Sequence, residues 1–204
     1  MPMTAEERAA FSADFEAALA FATRLHANQA RKGTDIPYIS HLIAVAGLVL
    51  EAGGDRDEAI GALLHDSIED QGEDYSGGAD ALRQELKSKF GQRVLDIVNG
   101  CTDADTFPKP PWRARKDAYI SALSKKSRSV RLVSCADKLH NARAIVADLR
   151  VVGHALWGRF NGGKEGTLWY YSELAKAFSE PPSPPLAAEL KRTVEDMHRL
   201  ADAD

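Results

Sequence analysis

The chain has 204 residues, 27% of them charged and 44% hydrophobic, with a formal net charge of −4. That length and balance suit one ordinary globular domain and exclude wholesale disorder. They also speak against a general nucleic-acid binder, which would carry a dense basic run; the cations here come in small groups, Arg31-Lys32, Arg113-Arg115-Lys116 and Lys125-Lys126-Arg128.

Helical signals dominate in chain order. Thr4 followed by Glu7 fits a capping box, and apolar residues recur at helical spacing from Phe11 to about Ala30. Residues 31–37 read as a loop, and a second helix starts near Pro37 or Tyr38 and stops at Gly53-Gly54. Asp55 or Asp57 caps a third, EAIGALLHDSIEDQ, ending near Gly72. After the loop EDYSGGAD come ALRQELKSKF, closed by Gly91, and QRVLDIVNGCT. The tract DADTFPKPP is too rich in breakers for a regular helix. WRARKDAYISALSKK is helical again, and Ser127 or Ser129 opens a long apolar helix that ends at Gly153. GRFNGGKEG reads as an exposed loop, EGTLWYYSELAKAF as a helix, PPSPP as a rigid break and PLAAELKRTVEDMHRLADA as a last helix. No segment alternates with the period of a strand, and no repeat appears. The expectation is an all-α helical bundle forming a single domain over residues 1–180, with a C-terminal helix in 181–204 packed on it or appended to it.

Two cysteines, Cys101 and Cys135, outside any CxxC pair, suit a reducing compartment. The charged start MPMTAEERAAF lacks the apolar stretch of a signal peptide, and no run is long enough to span a bilayer. The expected address is cytoplasmic, with neither a membrane nor a nucleic acid as partner.

The chemistry concentrates in Leu64-His65-Asp66-Ser67-Ile68-Glu69-Asp70. On a helix, His65 and Asp66 point about 100° apart and can still converge on one ion. Glu69 lies one turn beyond His65, and Asp70 one turn beyond Asp66, which sets two carboxylates beside that pair. Four polar groups on an otherwise apolar helix are costly unless something binds them. Upstream, His41 opens the second helix. Downstream, Asp137 follows Leu132, Val133, Cys135 and Ala136 into the core, where an acid needs a partner, and Asn141 shares its face. His41, His65, Asp66 and Asp137 together are an N/O donor set suited to Mn, Fe, Zn or Co more than to Mg or Ca, built from helices as bundles commonly do.

The order H…HD…D resembles the HD superfamily of phosphohydrolases. More specifically, Arg31-Lys32-Gly33…Pro37-Tyr38-Ile39-Ser40-His41, Leu64-His65-Asp66-Ser67-Ile68-Glu69-Asp70 and Ala136-Asp137-Lys138-Leu139-His140-Asn141-Ala142-Arg143 resemble the hydrolase domain of the RelA/SpoT homologues. The resemblance covers roughly residues 15 to 180, and the chain length resembles the stand-alone small alarmone hydrolases. One departure is Leu42, where long bifunctional members often carry proline.

The resemblance implies an HD-domain enzyme that removes the 3′-pyrophosphate of (p)ppGpp or its adenine analogue (p)ppApp, leaving GDP or GTP (or ADP or ATP). It implies one divalent ion, usually Mn²⁺ with other transition metals able to substitute, held by His41, His65, Asp66 and Asp137. Glu69 and Asp70 are then the catalytic acids that orient water and take its proton. Arg31 and Lys32 are expected at the substrate phosphates, Asn141, Lys138 and Arg143 beside the nucleotide, Arg115 and Lys116 at the 5′-phosphates, and Tyr170 at the base. Pairing with an alarmone synthetase is the functional partnership implied. Two alternatives stand beside this reading. One is an HD phosphohydrolase for another nucleotide, a nucleotidase or NADPH phosphatase; the other is a non-catalytic nucleotide-binding HD scaffold.

Overall fold

The computed structural model describes residues 4–103 and 110–203. Among these residues every regular element is a helix, apart from one isolated antiparallel bridge between Ala30 and Pro37. The breaker-rich tract expected to be irregular falls largely on 104–109, outside the described residues. The chain divides into two compact units, 1–105 and 106–204.

The first unit holds α1 (Ala5–Leu25), α2 (Ile39–Glu51), α3 (Arg56–Leu64), α4 (Ser67–Gln71), α5 (Gly78–Phe90) and α6 (Gln92–Cys101). Capping boxes start two of them. Thr4 and Glu7 exchange side-chain and backbone hydrogen bonds at α1, and Asp55 and Glu58 do the same at α3. Helix α3 is the centre of the unit: α1, α2 and α6 pack on it, and Glu58 through Leu64 are buried. Gly61 makes the closest approach possible, since a Cβ there would lie 2.7 Å from Ile97 Cγ2 of α6. Helix α2 buries His41, Leu42, Val45, Ala46, Leu48 and Val49, a stripe at helical spacing that carries one imidazole into the core.

The third helix expected from the sequence is two helices. Helix α3 ends at Leu64, Asp66 sits at φ −94°, ψ 0°, and α4 begins at Ser67. Asp interrupts a helix readily because it competes for backbone hydrogen bonds and favours caps. Here its side chain is also claimed from outside the helix, by Tyr38. The His-Asp pair therefore occupies a joint rather than a helix interior.

The second unit holds α7 (Trp112–Leu123), α8 (Arg128–Val152), a 3-10 helix (Gly153–Arg159), α9 (Gly163–Ser179) and α10 (Ala187–Ala201). Helix α10 packs on α8 and α9, and α7 packs on α9. Ser127 caps α8, its hydroxyl accepting from the Val130 N–H at 3.3 Å. Val130 through Asp137 are buried without a break, followed by Leu139 and Ala142. Burial pushes the Cys135 thiol up to about 12, so it stays protonated and packs as a small apolar group.

The fully buried Arg131 anchors this unit. Its guanidinium donates to the carbonyls of Leu123 at 3.0 Å, Glu180 at 2.9 Å, Pro182 at 3.2 Å and Ala177 at 3.3 Å. One side chain thus ties the end of α7, where Leu123 also accepts from the Lys126 N–H, to the end of α9 and the proline-rich break behind it.

The loop expected over 158–166 is largely helical. Its glycines admit the Trp112 indole: a Cβ at Gly162 would stand 2.7 Å from Trp112 Cη2, and one at Gly166 3.2 Å from the same atom. They are close-approach glycines rather than breakers.

Candidate functional site

The site in the first unit is built from the loop after α1, the start of α2 and the α3–α4 joint. Residues 31–37 close on themselves. The Arg31 N–H donates to the Ile36 carbonyl at 2.8 Å and the Tyr38 N–H to the Gln29 carbonyl at 2.9 Å. Gly33 supplies the positive φ of 72° that the turn needs. This closed loop fixes where Tyr38 and His41 enter α2. It carries Arg31, half-buried with its guanidinium 5.9 Å from the Tyr38 ring centroid, and Lys32, exposed.

His41 is fully buried and His65 nearly so. Their rings lie edge to face with centroids 5.3 Å apart, and both Nε2 atoms face one oxygen, Asp66 Oδ2, at 3.6 Å for His41 and 3.0 Å for His65. The Tyr38 hydroxyl donates to the same oxygen at 2.5 Å. His65 Nδ1 lies 2.8 Å from the Ala62 carbonyl. A carbonyl only accepts, so Nδ1 carries a proton and Nε2 is the nitrogen left to a metal. That is the tautomer a metal needs, fixed in the way metal-binding histidines usually are. Two buried imidazole nitrogens and a carboxylate converging here are a donor set for a divalent ion, and of first-row transition type more than Mg²⁺ or Ca²⁺.

Glu69 and Asp70 stand on the turn beyond, on α4. Glu69 Oε2 accepts from the Asp103 N–H at 3.1 Å. Asp70 is exposed, and its Oδ2 accepts from Gln29 Nε2 at 2.7 Å. Behind Gln29 lies a residue that sequence reasoning missed. His26, only 2% exposed, ends α1 as its C-cap. Its ring stacks on Tyr38 with centroids 5.3 Å apart, and its Nδ1 lies 2.6 Å from Gln29 Oε1. Burial pushes the His26 imidazole below its ordinary value, against the Gln29 hydrogen bond, so the ring is neutral near pH 7. The available signal was the spacing of His26 and Gln29 at the end of a helix. Its meaning depended on Tyr38 and Asp70, which are distant in sequence.

In the second unit, Asp137 is buried on α8 with both oxygens engaged: Lys138 Nζ at 2.6 Å on Oδ2 and Asn141 Nδ2 at 2.6 Å on Oδ1. Two hydrogen bonds hold the carboxylate in one orientation. Burial opposes the charge on Lys138, but the Asp137 carboxylate and the Tyr170 and Tyr119 hydroxyls outweigh it and hold the ammonium well above the lysine range. Lys116 Nζ lies 5.0 Å from the centroid of the buried Tyr170 ring. Arg115 donates to the Pro110 carbonyl at 3.2 Å. Arg143 pairs with Glu189 of α10.

The family model described as HD domain matches residues 18–166. A guanosine-3′,5′-bis(diphosphate) 3′-pyrophosphohydrolase MESH1 of Xenopus tropicalis is 36% identical over 126 residues, which are 60% of this chain and 64% of that protein. The Homo sapiens MESH1 protein has the same identity and coverage. A probable guanosine-3′,5′-bis(diphosphate) 3′-pyrophosphohydrolase of Synechocystis is 33% identical over 133 residues, 64% of this chain and 16% of that protein. The chain thus spans less than two thirds of the length of these relatives. Among solved structures, that of a metazoan SpoT ortholog, described as hydrolysing ppGpp and acting in starvation responses, superposes with a TM-score of 0.70 at 24% identity, covering 99% of this chain and 98% of that one. A crystal structure from Listeria monocytogenes EGD-e gives 0.66 at 24% identity, covering 78% of this chain and 99% of that one. The all-α fold expected from the sequence is therefore the HD fold. With the family matched over most of its length and the His-Asp pair at the joint of α3 and α4, the chain belongs to the HD-domain family.

Proposed function

We propose that this chain hydrolyses the 3′-pyrophosphate of a guanosine or adenosine alarmone, (p)ppGpp or (p)ppApp, releasing pyrophosphate and leaving GDP or GTP (or ADP or ATP). The observation that carries the reading is the convergence of His41, His65 and Asp66, with Glu69 and Asp70 on the adjoining turn. Plain HD phosphohydrolases need the metal set but have no particular use for that acid pair. The names of the relatives from Xenopus tropicalis and Synechocystis support the same substrate class.

In this reading His41, His65, Asp66 and the buried carboxylate of Asp137 hold one divalent ion, Mn²⁺. When bound, such an ion lowers the pKa of water and polarises a phosphoryl oxygen. Asp137 suits the fourth position because it is a buried carboxylate that Lys138 and Asn141 orient. Glu69 and Asp70 orient the attacking water and accept its proton. The backbone N–H of Asp103 steadies Glu69, and Gln29 steadies Asp70. Arg31 and Lys32, carried on the closed loop before α2, neutralise the transferred phosphates, Arg31 as a fork and Lys32 as a point charge. Asn141, Lys138 and Arg143 flank the nucleotide, with Arg143 held by Glu189. Arg115 and Lys116 meet the 5′-phosphates, and Tyr170 borders the base. The reaction serves as the degradative partner of an alarmone synthetase in the cytoplasm. Among the described residues no helix is long and apolar enough to cross a membrane.

The test is to incubate the Mn²⁺-supplied protein with ppGpp, ppApp and NADPH in turn and resolve the products by ion exchange. The expected result is pyrophosphate with GDP or ADP, lost in the Glu69→Ala, Asp70→Ala double variant by at least about 100-fold. Orthophosphate alone would favour another HD phosphohydrolase. No product from a protein that holds metal would favour a binding scaffold.

A further inference from the structure

Asp70 is exposed in an open cleft lined by Leu25, Asn28, Gln29, Gln71 and Asp74. No apolar packing there can hold a short carboxylate in one rotamer, so its orientation depends on what hydrogen-bonds to it. Gln29 does so at 2.7 Å. An amide can present either end, and presenting its oxygen to Asp70 would set two acceptors face to face. Two donors prevent that flip. His26 Nδ1 lies 2.6 Å from Gln29 Oε1, and Gln71 Nε2 donates to the same oxygen at 2.7 Å. With its oxygen doubly engaged, Gln29 must turn its NH₂ toward Asp70.

His26 is itself locked. It is 98% buried by side chain and backbone together, it stacks on Tyr38, and its Nδ1–H is directed to Gln29. Its Nε2 is buried with no hydrogen-bond partner among the described residues. Leaving that nitrogen unsatisfied is unfavourable, and a phenylalanine or leucine would pack the same space without it. The imidazole therefore has value at this position through the one bond it makes. The same ring leans on Tyr38, whose hydroxyl holds Asp66, so a single buried residue braces both halves of the site.

We infer that Gln29, locked by His26 and Gln71, is a positioning residue that holds the Asp70 carboxylate in its working orientation. This rests on the reading of Asp70 as a catalytic acid. The hydrogen bonds of the relay end on the proton-accepting group, and the His26 stack on Tyr38 is kept in His26→Phe, so loss of the relay is expressed in kcat and not in KM or metal content.

The experiment is steady-state hydrolysis of ppGpp with Mn²⁺ by Gln29→Leu, His26→Phe, His26→Asn, Asp70→Asn and the double variant Gln29→Leu, Asp70→Asn. Manganese content and thermal melting are recorded for each. His26→Phe keeps the ring stack and loses the donor. His26→Asn keeps a donor where Nδ1 stands. The expected result is a fall in kcat of about 10-fold for Gln29→Leu and about 5-fold for His26→Phe, with KM within about two-fold, and recovery by His26→Asn to within about two-fold of wild type. The double variant should be no slower than Asp70→Asn alone, because both changes disable one group. The inference is overturned if Asp70→Asn is inactive while Gln29→Leu keeps its kcat. It is also overturned if the two losses multiply, or if His26→Asn is as impaired as His26→Phe, since each marks a merely structural clip. Full activity in Asp70→Asn overturns the catalytic reading of Asp70 itself, and this inference with it.

Discussion

Replacing Arg131 by methionine is expected to lower the unfolding free energy by about 3–5 kcal/mol, the scale at which loss of a buried hydrogen-bonded charge becomes visible. The guanidinium is 2% exposed, and its four acceptors are all backbone carbonyls. Methionine fills the volume but takes that donor from Ala177, Glu180 and Pro182 and leaves Leu123 only the Lys126 N–H, and a buried acceptor without a partner costs about 1–3 kcal/mol. Relaxation and water entry recover part of the sum. Lysine should recover only a minority of the loss, because one ammonium cannot reproduce a planar fork of five N–H groups. Urea unfolding followed by circular dichroism reads the effect as a lower midpoint at unchanged slope. A methionine variant within about 1 kcal/mol of wild type would show that these carbonyls are satisfied in some other way.

The largest effect on turnover is expected from His65→Ala: a loss of at least about 1000-fold with Mn²⁺ in excess, together with a purified protein that retains far less metal. His65 is buried, its tautomer is set by the Ala62 carbonyl, and its Nε2 faces the carboxylate that Tyr38 and His41 also address. No flexible side chain can present a lone pair from that position at comparable cost in ordering. Elemental analysis and ppGpp hydrolysis measured on the same preparation check both halves. A variant that loses metal yet turns over within about ten-fold of wild type would separate the ion from the chemistry.

Local chemistry made much of this structure legible in the sequence. The Thr4–Glu7 box, the Asp55 cap, the Gly53-Gly54 stop and Ser127 at the start of α8 each act within a few residues, and each stands where its chemistry places it. Features decided by a residue distant in sequence are not legible locally. Asp66 breaks what reads as one helix because Tyr38, 28 residues away in sequence, holds its carboxylate. Gly162 and Gly166 read as loop formers because nothing nearby announces that the Trp112 indole lies against them. Nothing local marks Arg131 as an anchor, since three of its four acceptors lie 46–51 residues downstream. In the site, His41, His65 and Asp66 were found from motif and spacing, and the structure brings those three together. His26 and Gln29 were missed, because a histidine near the end of an amphipathic helix carries no meaning until Asp70 is placed beside it.

The most direct test of the central reading is hydrolysis of ppGpp in H₂¹⁸O, with both products analysed by mass spectrometry. The expected products are pyrophosphate carrying one ¹⁸O and GDP carrying none. That pattern means water has attacked the phosphorus next to the ribose and broken its bond to the 3′ oxygen. Label in orthophosphate, or in the ribose of the nucleotide product, would contradict it.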